Sequence, residues 1–559
     1  MVRKVTNDKI LKKSPILYIC LFSLWAILTV GLWYVFLKGL TNLRFSEETV
    51  PTKLRFIFAK ILILLNAVFI TYFWLNGVKD FIYVIWYYFH RKKSAKEYEG
   101  VIKQDVNGET DRILMVYCTC NDFDGTSLLK CLKQNYGNYR AVILDDSDKQ
   151  EYKKEIDGFA KKHNIEVVRR DNRKGFKAGN INNYLMKKEV AESYDYVVIL
   201  DSDEILPSDF IRSALKYFYK YENVGIVQAN HVSSRNVNLF MRLFHIGVNS
   251  HWPTYQSMKH KYGFSTMLGH GAMIKKECYE AAGGFPELVA EDLCLSIEAR
   301  NIGYVVAFAP EIICKEEYPV DYFAFKKRHS KWTQGNLEFI KKYSVKILKS
   351  KMAWFEKWDI VLFTYNLPLT AVFAFYIFLN LILLPLIKVD LSSVYKLWMM
   401  VPTVIFFLSP MLNDFIFWAF RLNPVRSIAY FIGVVVLYGS MLTTSLVSAV
   451  LGMFGKKAKF IVTPKRSGKT CLSQALKAQV SELLFSSVLL AVSLLFVKSV
   501  FPVLLIIVTG YCSLFLAFLS NRTYNEYAYR LDDAFTEKIT LKQNAVYKFK
   551  TEHERKKSV

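Results

Sequence analysis

The sequence predicts a mixed, mostly parallel α/β domain in the cytosol, inserted in an α-helical multi-pass membrane domain of about six spans plus interfacial helices. Three observations lead there. The 559 residues are 52% hydrophobic and 15% aromatic with a mean hydropathy of +0.16, too apolar for an ordinary soluble enzyme. Charge is nonetheless abundant and is gathered in one block, about residues 92–351, with apolar stretches on both sides. Within that block short β-rich runs alternate with helical patterns. The formal net charge of +25 fits basic residues flanking membrane spans and does not call for nucleic acid as a partner. Nine cysteines without regular spacing read as reduced cytosolic thiols.

Pro15 to Leu37 supplies the roughly 20 apolar residues that a helix needs to cross hydrocarbon, and it lacks a small-residue cleavage site. Phe56 to Phe89 exceeds one crossing and is interrupted by Lys79 and Asp80, so its second half is expected to leave the membrane as helix. "KVTNDKILKK" before the first span and "HRKKSAK" after the second place both ends of this hairpin, residues 1–90, in the cytosol. The polar domain, 91–337, is then cytosolic too. Apolar segments follow at about 365–387, 397–420, 428–453, 480–500 and 501–520. Five crossings would carry the basic tail, 531–559, to the far side against the charge rule, so one segment is expected not to cross. Segment 428–453 fits that part, with Gly433, Gly439 and Ser440 inside it and "LNPVRS" and "GKKAK" at its ends. Residues 338–359 read as an amphipathic interfacial helix, Lys on one side and Trp, Phe and Leu on the other. The whole of 338–530 is expected to hold interfacial helices, channel spans and a loop at 460–465. Both termini fall in the cytosol, and the Lys- and Ile-rich composition points to a bacterial plasma membrane.

In the polar block, "RILMVYCTC", "YRAVILDDSD" and "DYVVILDSDE" are three apolar runs that end in polar or acidic residues. Strand–helix alternation argues for a parallel sheet, whose ligands bind beyond the carboxyl ends of the strands. Helix capping could explain the acids at one such end, since "LPSD" follows the third run. It does not require acids at neighbouring ends, and Asp145 and Asp146 would lie near Asp201 and Asp203. Such an edge needs a cation or donors on its ligand, and a divalent metal, Mg2+ or Mn2+, holding a diphosphate would meet that need. Downstream, "LVAEDLCLSIEAR" puts Glu291 and Asp292 at a helix start, where acids complement the dipole or where Asp292 could serve as general base. "KKRHSKWTQGN" combines Arg328, Lys331 and Trp332: cations for phosphate beside an indole for a sugar ring, or the snorkelling face and aromatic anchor of an interfacial helix. "KRSGKT" is refused as a phosphate loop because Thr463 stands where its first Gly is needed. The five histidines from His231 to His270 match no metal-site spacing.

Taken in order, these motifs resemble the processive family 2 glycosyltransferases: cellulose, curdlan, chitin and hyaluronan synthases. That family's first Asp, DxD, base motif and QxxRW read here as "DD" at 145–146, "DSD" at 201–203, "AED" ending at Asp292 and "RHSKW" at 328–332. "CTCND" and "RKGFKAGNIN" are similar to its opening and donor-site segments, and "FIVTPK" at 460–465 resembles the gating loop of cellulose synthases. The resemblance covers about residues 90–470. It departs where Arg328 and Lys331 replace Gln and Arg, keeping charge near a pyrophosphate but losing bidentate geometry. "HSKWTQGN" and "LGHGAMI" also look similar to the membrane glucosyltransferases of osmoregulated periplasmic glucans, which pulls the product towards a β-glucan.

The resemblance implies a GT-A-type domain, a UDP-sugar donor with UDP-glucose foremost, and a growing polysaccharide acceptor in a channel through the lipid bilayer. It implies that Asp292 is the base and that Asp203 and Asp201 are the metal ligands. Thr119, Lys177 and Asp145 or Asp146 would recognise uridine, and Arg328 and Lys331 would face the pyrophosphate. Trp332 would stack on the acceptor, and Phe460, Thr463 and Lys465 would close over the donor. The tail after Asn521 is too short for the cyclic-di-GMP-binding barrel of bacterial cellulose synthases, so no control through that domain is expected. Competing readings are a non-processive transferase acting on a lipid carrier, a hyaluronan- or chitin-type synthase using UDP-GlcNAc, and a transporter with a regulatory domain. For the last, the acidic strand tips have no purpose.

Overall fold

The computed structural model describes residues 9–45, 52–106, 108–419, 421–455, 468–527 and 530. The chain opens with helices α1 (Ile16–Thr41) and α2 (Lys53–Ile102). At 50 residues α2 is about 75 Å long, and its second half runs on past Lys79 and Asp80 as expected. The seven strands are β1 (Ile113–Thr119), β2 (Tyr139–Asp145), β3 (Glu166–Val168), β4 (Tyr196–Leu200), β5 (Val224–Ser233), β6 (Ala272–Lys275) and β7 (Val305–Glu316). They form one sheet in the order β3-β2-β1-β4-β6-β5-β7. β6 runs antiparallel to both neighbours, while the other adjacent pairs are parallel. This is the mixed, mostly parallel sheet that was expected.

The strands read as unbroken apolar runs because both faces of the sheet are covered. Met115, Tyr117, Ile143, Val198 and Leu200 pack on one face. Leu114, Val116, Val142, Leu144, Val197 and Ile199 pack on the other, as the two-residue period of a strand requires. Three helices of this domain carry or flank the site: α3 (Phe176–Leu185), α4 (Leu239–His251) and α5 (Glu291–Asn301).

After β7 come α6 (Tyr322–Lys349), α7 (Trp354–Thr364), α8 (Asn366–Ile387), α9 (Met400–Trp418), α10 (Pro424–Met453), α11 (Val480–Val492) and α12 (Leu504–Leu519). Among the described residues seven helical segments are long and apolar enough to cross a membrane: α1, α2, α8, α9, α10, α11 and α12, with α9 counted from Leu397, α11 to Val497 and α12 from Phe501. Segment 428–453 lies in α10, one helix of 30 residues that meets this criterion as well. It packs along α4 and α6 for nearly its whole length. Arg426 reaches the Arg242 carbonyl at 3.4 Å, Tyr322 donates to Ser440 at 3.1 Å, His329 meets Ser445 at 2.7 Å, and Lys341 donates to the Gly452 carbonyl at 3.0 Å.

The helix expected over 338–359 is two helices. α6 starts earlier, where Asp321 caps it by accepting from Ala324 N at 2.7 Å, and stops at Ser350 in extended backbone. α7 then starts afresh, with Glu356 accepting from Ala353 N at 3.2 Å. The expected boundaries after residues 90 and 337 fall inside α2 and α6, so continuous helices join the sheet domain to the apolar elements. Phe460, Thr463 and Lys465 lie outside the described residues.

Candidate active site

The carboxyl ends of β1, β2 and β4 meet at one edge because these strands are parallel neighbours, with Thr119 directly opposite Asp145. Of the two acids that end β2, Asp145 turns away from the opening. It is buried, accepts from Arg169 Nε at 2.6 Å and from Ser147 N at 2.8 Å. Asp146 lines the cavity described below and is clasped by Arg170 through two bonds of 2.9 and 2.7 Å. Thr119 also lines the cavity and donates to Asp122 at 2.9 Å; Ser202 donates to the other Asp122 oxygen at 2.7 Å, which ties the end of β1 to the DSD loop.

The acids after β4 are not caps. The next helix begins only at Phe210, and its N-cap Asp209 makes no capping bond. Asp201 instead pairs with Lys177 from the first turn of α3, and Asp203 accepts from Glu317 N at 2.9 Å. Burial alone would lower the Lys177 ammonium, but the Asp201 charge outweighs it and raises the pKa above the ordinary lysine value. Lys177 also donates to the Gly269 carbonyl at 2.8 Å. A Cβ added to Gly269 would lie 3.7 Å from Asp292 Oδ2. Asp201, Lys177 and Asp292, distant in sequence, therefore gather round one glycine.

Asp292 sits in the first turn of α5 beside Glu291, its Oδ1 accepting from Leu293 N at 2.7 Å. Burial, and for Glu291 the neighbouring Asp292 charge, push both carboxyls above their usual range. α6 brings Arg328, Lys331 and Trp332 to the same opening, one helical turn carrying all three. The Arg328 guanidinium lies 4.6 Å from the Trp332 ring centroid and within 6 Å of Phe244, Tyr318 and Phe325, a cation held among aromatic faces. Burial lowers the pKa of Lys331, partly offset by Glu291 and Asp201. Trp332 keeps 43% of its surface exposed to the opening.

These residues line one cavity of about 1240 Å³. Its wall runs from Thr119, Asp146 and Asp201 past Asp292 and Trp332 to residues of α8, α9, α10 and α12.

Residues 196–447 match the model of the glycosyl transferase family group 2. The matched stretch is a little under half of the chain. The chain is similar to the probable glucomannan 4-beta-mannosyltransferase 10 of Arabidopsis thaliana, 28% identical over 217 residues, which are 37% of this chain and 39% of the plant protein. The chain thus spans about two fifths of that relative's length. Among solved structures it is similar to the mannosyltransferase PcManGT of Pyrobaculum calidifontis (16% identity, 68% of this chain and 100% of that one, TM-score 0.38) and to S. aureus TarS (13%, 54% of each, TM-score 0.33).

Some residues of this site carry no sequence motif. Arg170, in a basic run after β3, clasps Asp146, while Arg173, which opens the "RKGFKAGNIN" segment, lines the cavity. Glu204, beside the DSD motif, is fully buried between His231 at 3.2 Å and His270, and His270 reaches Glu316 at 3.2 Å. Glu204, His231 and Cys314 offer ligand atoms within 4.8 Å of one another. Since both histidines already bond Glu204, the cluster reads as a buried ion network behind the DSD loop. Burial would lower the His270 pKa, and the Glu204 and Glu316 charges outweigh it and raise it.

Proposed function

We propose that this glycosyltransferase is a processive, inverting enzyme that polymerises a nucleotide-activated hexose and passes the product across the membrane through its own helices. The observation that carries the proposal is the continuity of the cavity from the acidic strand edge to α8, α9, α10 and α12. A transferase acting on a lipid carrier needs no such passage.

Asp292 takes the proton from the acceptor hydroxyl as that oxygen attacks the anomeric carbon opposite the diphosphate. Asp201 and Asp203 suit a divalent cation: both are hard oxygen donors at the cavity wall, Asp201 steadied by Lys177 and Asp203 by Glu317 N. Mg2+ or Mn2+ held there would supply charge to offset that of the departing diphosphate. Use of a divalent ion is also in keeping with the Pyrobaculum enzyme, described in complex with GDP-Man and Mn2+. Arg173, Lys177, Arg328 and Lys331 add fixed positive charge around the leaving group. Asp146 and Thr119 recognise the nucleoside, and Trp332 provides a face for the acceptor ring.

UDP-glucose is the donor that the motifs favour, and a mannosyl donor is the second reading, favoured by the plant relative's name. Purified protein in lipid nanodiscs is incubated with radiolabelled UDP-glucose, UDP-GlcNAc and GDP-mannose in turn, with and without Mn2+. High-mass product from one donor supports the proposal. Labelled lipid favours the carrier reading, and no turnover overturns both.

A further inference from the structure

Beyond Trp332 the cavity enters the membrane helices, and the charge on its wall changes character. The nucleotide end carries Arg173, Lys177, Arg328 and Lys331. Where α2, α4, α9 and α10 converge, the charged residues on the wall are Lys79, Asp80 and Asp414. The Lys79 ammonium is already engaged, 3.3 Å from Asp80 and 4.1 Å from the Phe363 ring centroid. Asp80 also accepts from Tyr255 at 3.3 Å.

Asp414 is met by hydroxyls rather than a cation among the described residues: Ser250 and Tyr430 both donate to it. Its neighbour Asn413 is fixed by Thr254 at 2.8 Å and by the Ser250 carbonyl at 3.0 Å. His251, stacked on Tyr255 with centroids 4.4 Å apart, adds no positive charge, because burial pushes its pKa down to about 4. The neighbouring membrane helices add Phe373, Phe407, Leu505, Ile506 and Thr509 to the wall, all uncharged.

A polymer threading the neck gives up bulk water there. A carboxylate on one of its sugars would arrive beside Asp80 and Asp414 with no uncommitted cation to receive it, and an unpaired charge taken from water is strongly disfavoured. A neutral pyranose brings hydroxyl donors for the carboxylates and a C–H face for the exposed ring of Tyr438. We infer that the neck around Asp80 and Asp414 selects an uncharged hexose chain and excludes polymers that contain uronic acid. This rests on the processive reading given above and narrows it, setting aside an anionic, hyaluronan-like product.

The test compares two primers on the full-length protein in nanodiscs, supplied with whichever labelled donor it turns over. One is a neutral β-linked hexose oligosaccharide; the other is the same compound oxidised at its primary hydroxyls to carboxylates. Both are run at high salt, which screens attraction to the cationic end of the cavity. The neutral primer is expected to be extended faster by about tenfold or more, equivalent to one decade in an equilibrium constant. Asp414→Asn is expected to shrink that ratio about threefold by speeding extension of the oxidised primer. Equal extension of the two primers by the unmutated protein overturns the inference while leaving transfer intact. A ratio unmoved in a folded Asp414→Asn protein overturns the assignment to this neck. Failure to transfer from any donor to either primer defeats the processive reading itself, and the inference with it. Should the variant not fold, the primer comparison on the unmutated chain still decides.

Discussion

Asp292 is where a single atom matters most. Replacing it with Asn keeps the size of the side chain and its bond from Leu293 N but removes the basic oxygen. Transfer is expected to fall by about 10²–10⁴-fold, the range for losing a positioned base. Nucleotide binding, followed by isothermal titration with UDP, should stay nearly intact; an equal loss of both would make Asp292 structural. The pH profile supplies a second check. Burial raises the pKa of both Asp292 and Glu291, and the base works only when ionised, so kcat/KM should climb with pH through an apparent pKa above the usual carboxylate value of about 4. The sign is firm: activity is lost as pH falls through the raised value. That limb belongs to the pair rather than to either residue. A profile already flat from pH 5 upward would contradict it.

Among the elements, α5 must hold its acidic first turn in place against a membrane-side scaffold. Glu356 of α7, fully buried, does this by accepting from Arg300 at the far end of α5 through bonds of 3.0 and 2.9 Å, with Lys13 at 3.9 Å on its other side. Glu356→Ala leaves two cations facing an empty acceptor site. It should cost about 3 kcal/mol, the lower end for breaking a buried pair, seen as faster thermal inactivation in detergent. Glu356→Gln, which retains one acceptor oxygen, should lose less. α6 links scales in a comparable way: its Asp321 cap lies at the end of the sheet, and its next turns carry Arg328, Lys331 and Trp332 into the cavity.

For the whole molecule the open issue is the course of α10. A helix that left the catalytic domain across the bilayer would touch it at one end only. α10 touches α4 through Arg426 and α6 through Ser440, Ser445 and Gly452, about 39 Å of helix at 1.5 Å per residue. α10 also packs along α8 and α12; with α10 as the segment that does not cross, the charge rule gives six crossings and a C terminus on the side of the sheet domain. A C-terminal epitope should then be cleaved by protease in inside-out vesicles and protected in right-side-out ones. The opposite pattern means that α10 crosses.

Hydropathy and strand period are local properties, so the sequence alone determined the division into a polar α/β block and apolar helices. It also determined the acidic tips of β2 and β4. Tertiary structure decided what depends on contact between distant segments. Consecutive strand residues face opposite ways, so only the register of β1 and β2 could choose Asp146 over Asp145 for the cavity. The break between α6 and α7 follows from caps that a smooth amphipathic pattern hides. The pairing of Glu204 with His270 and the hydroxyl cage of Asp414 join residues far apart in the chain, and a charge's surroundings cannot be read from its neighbours in sequence.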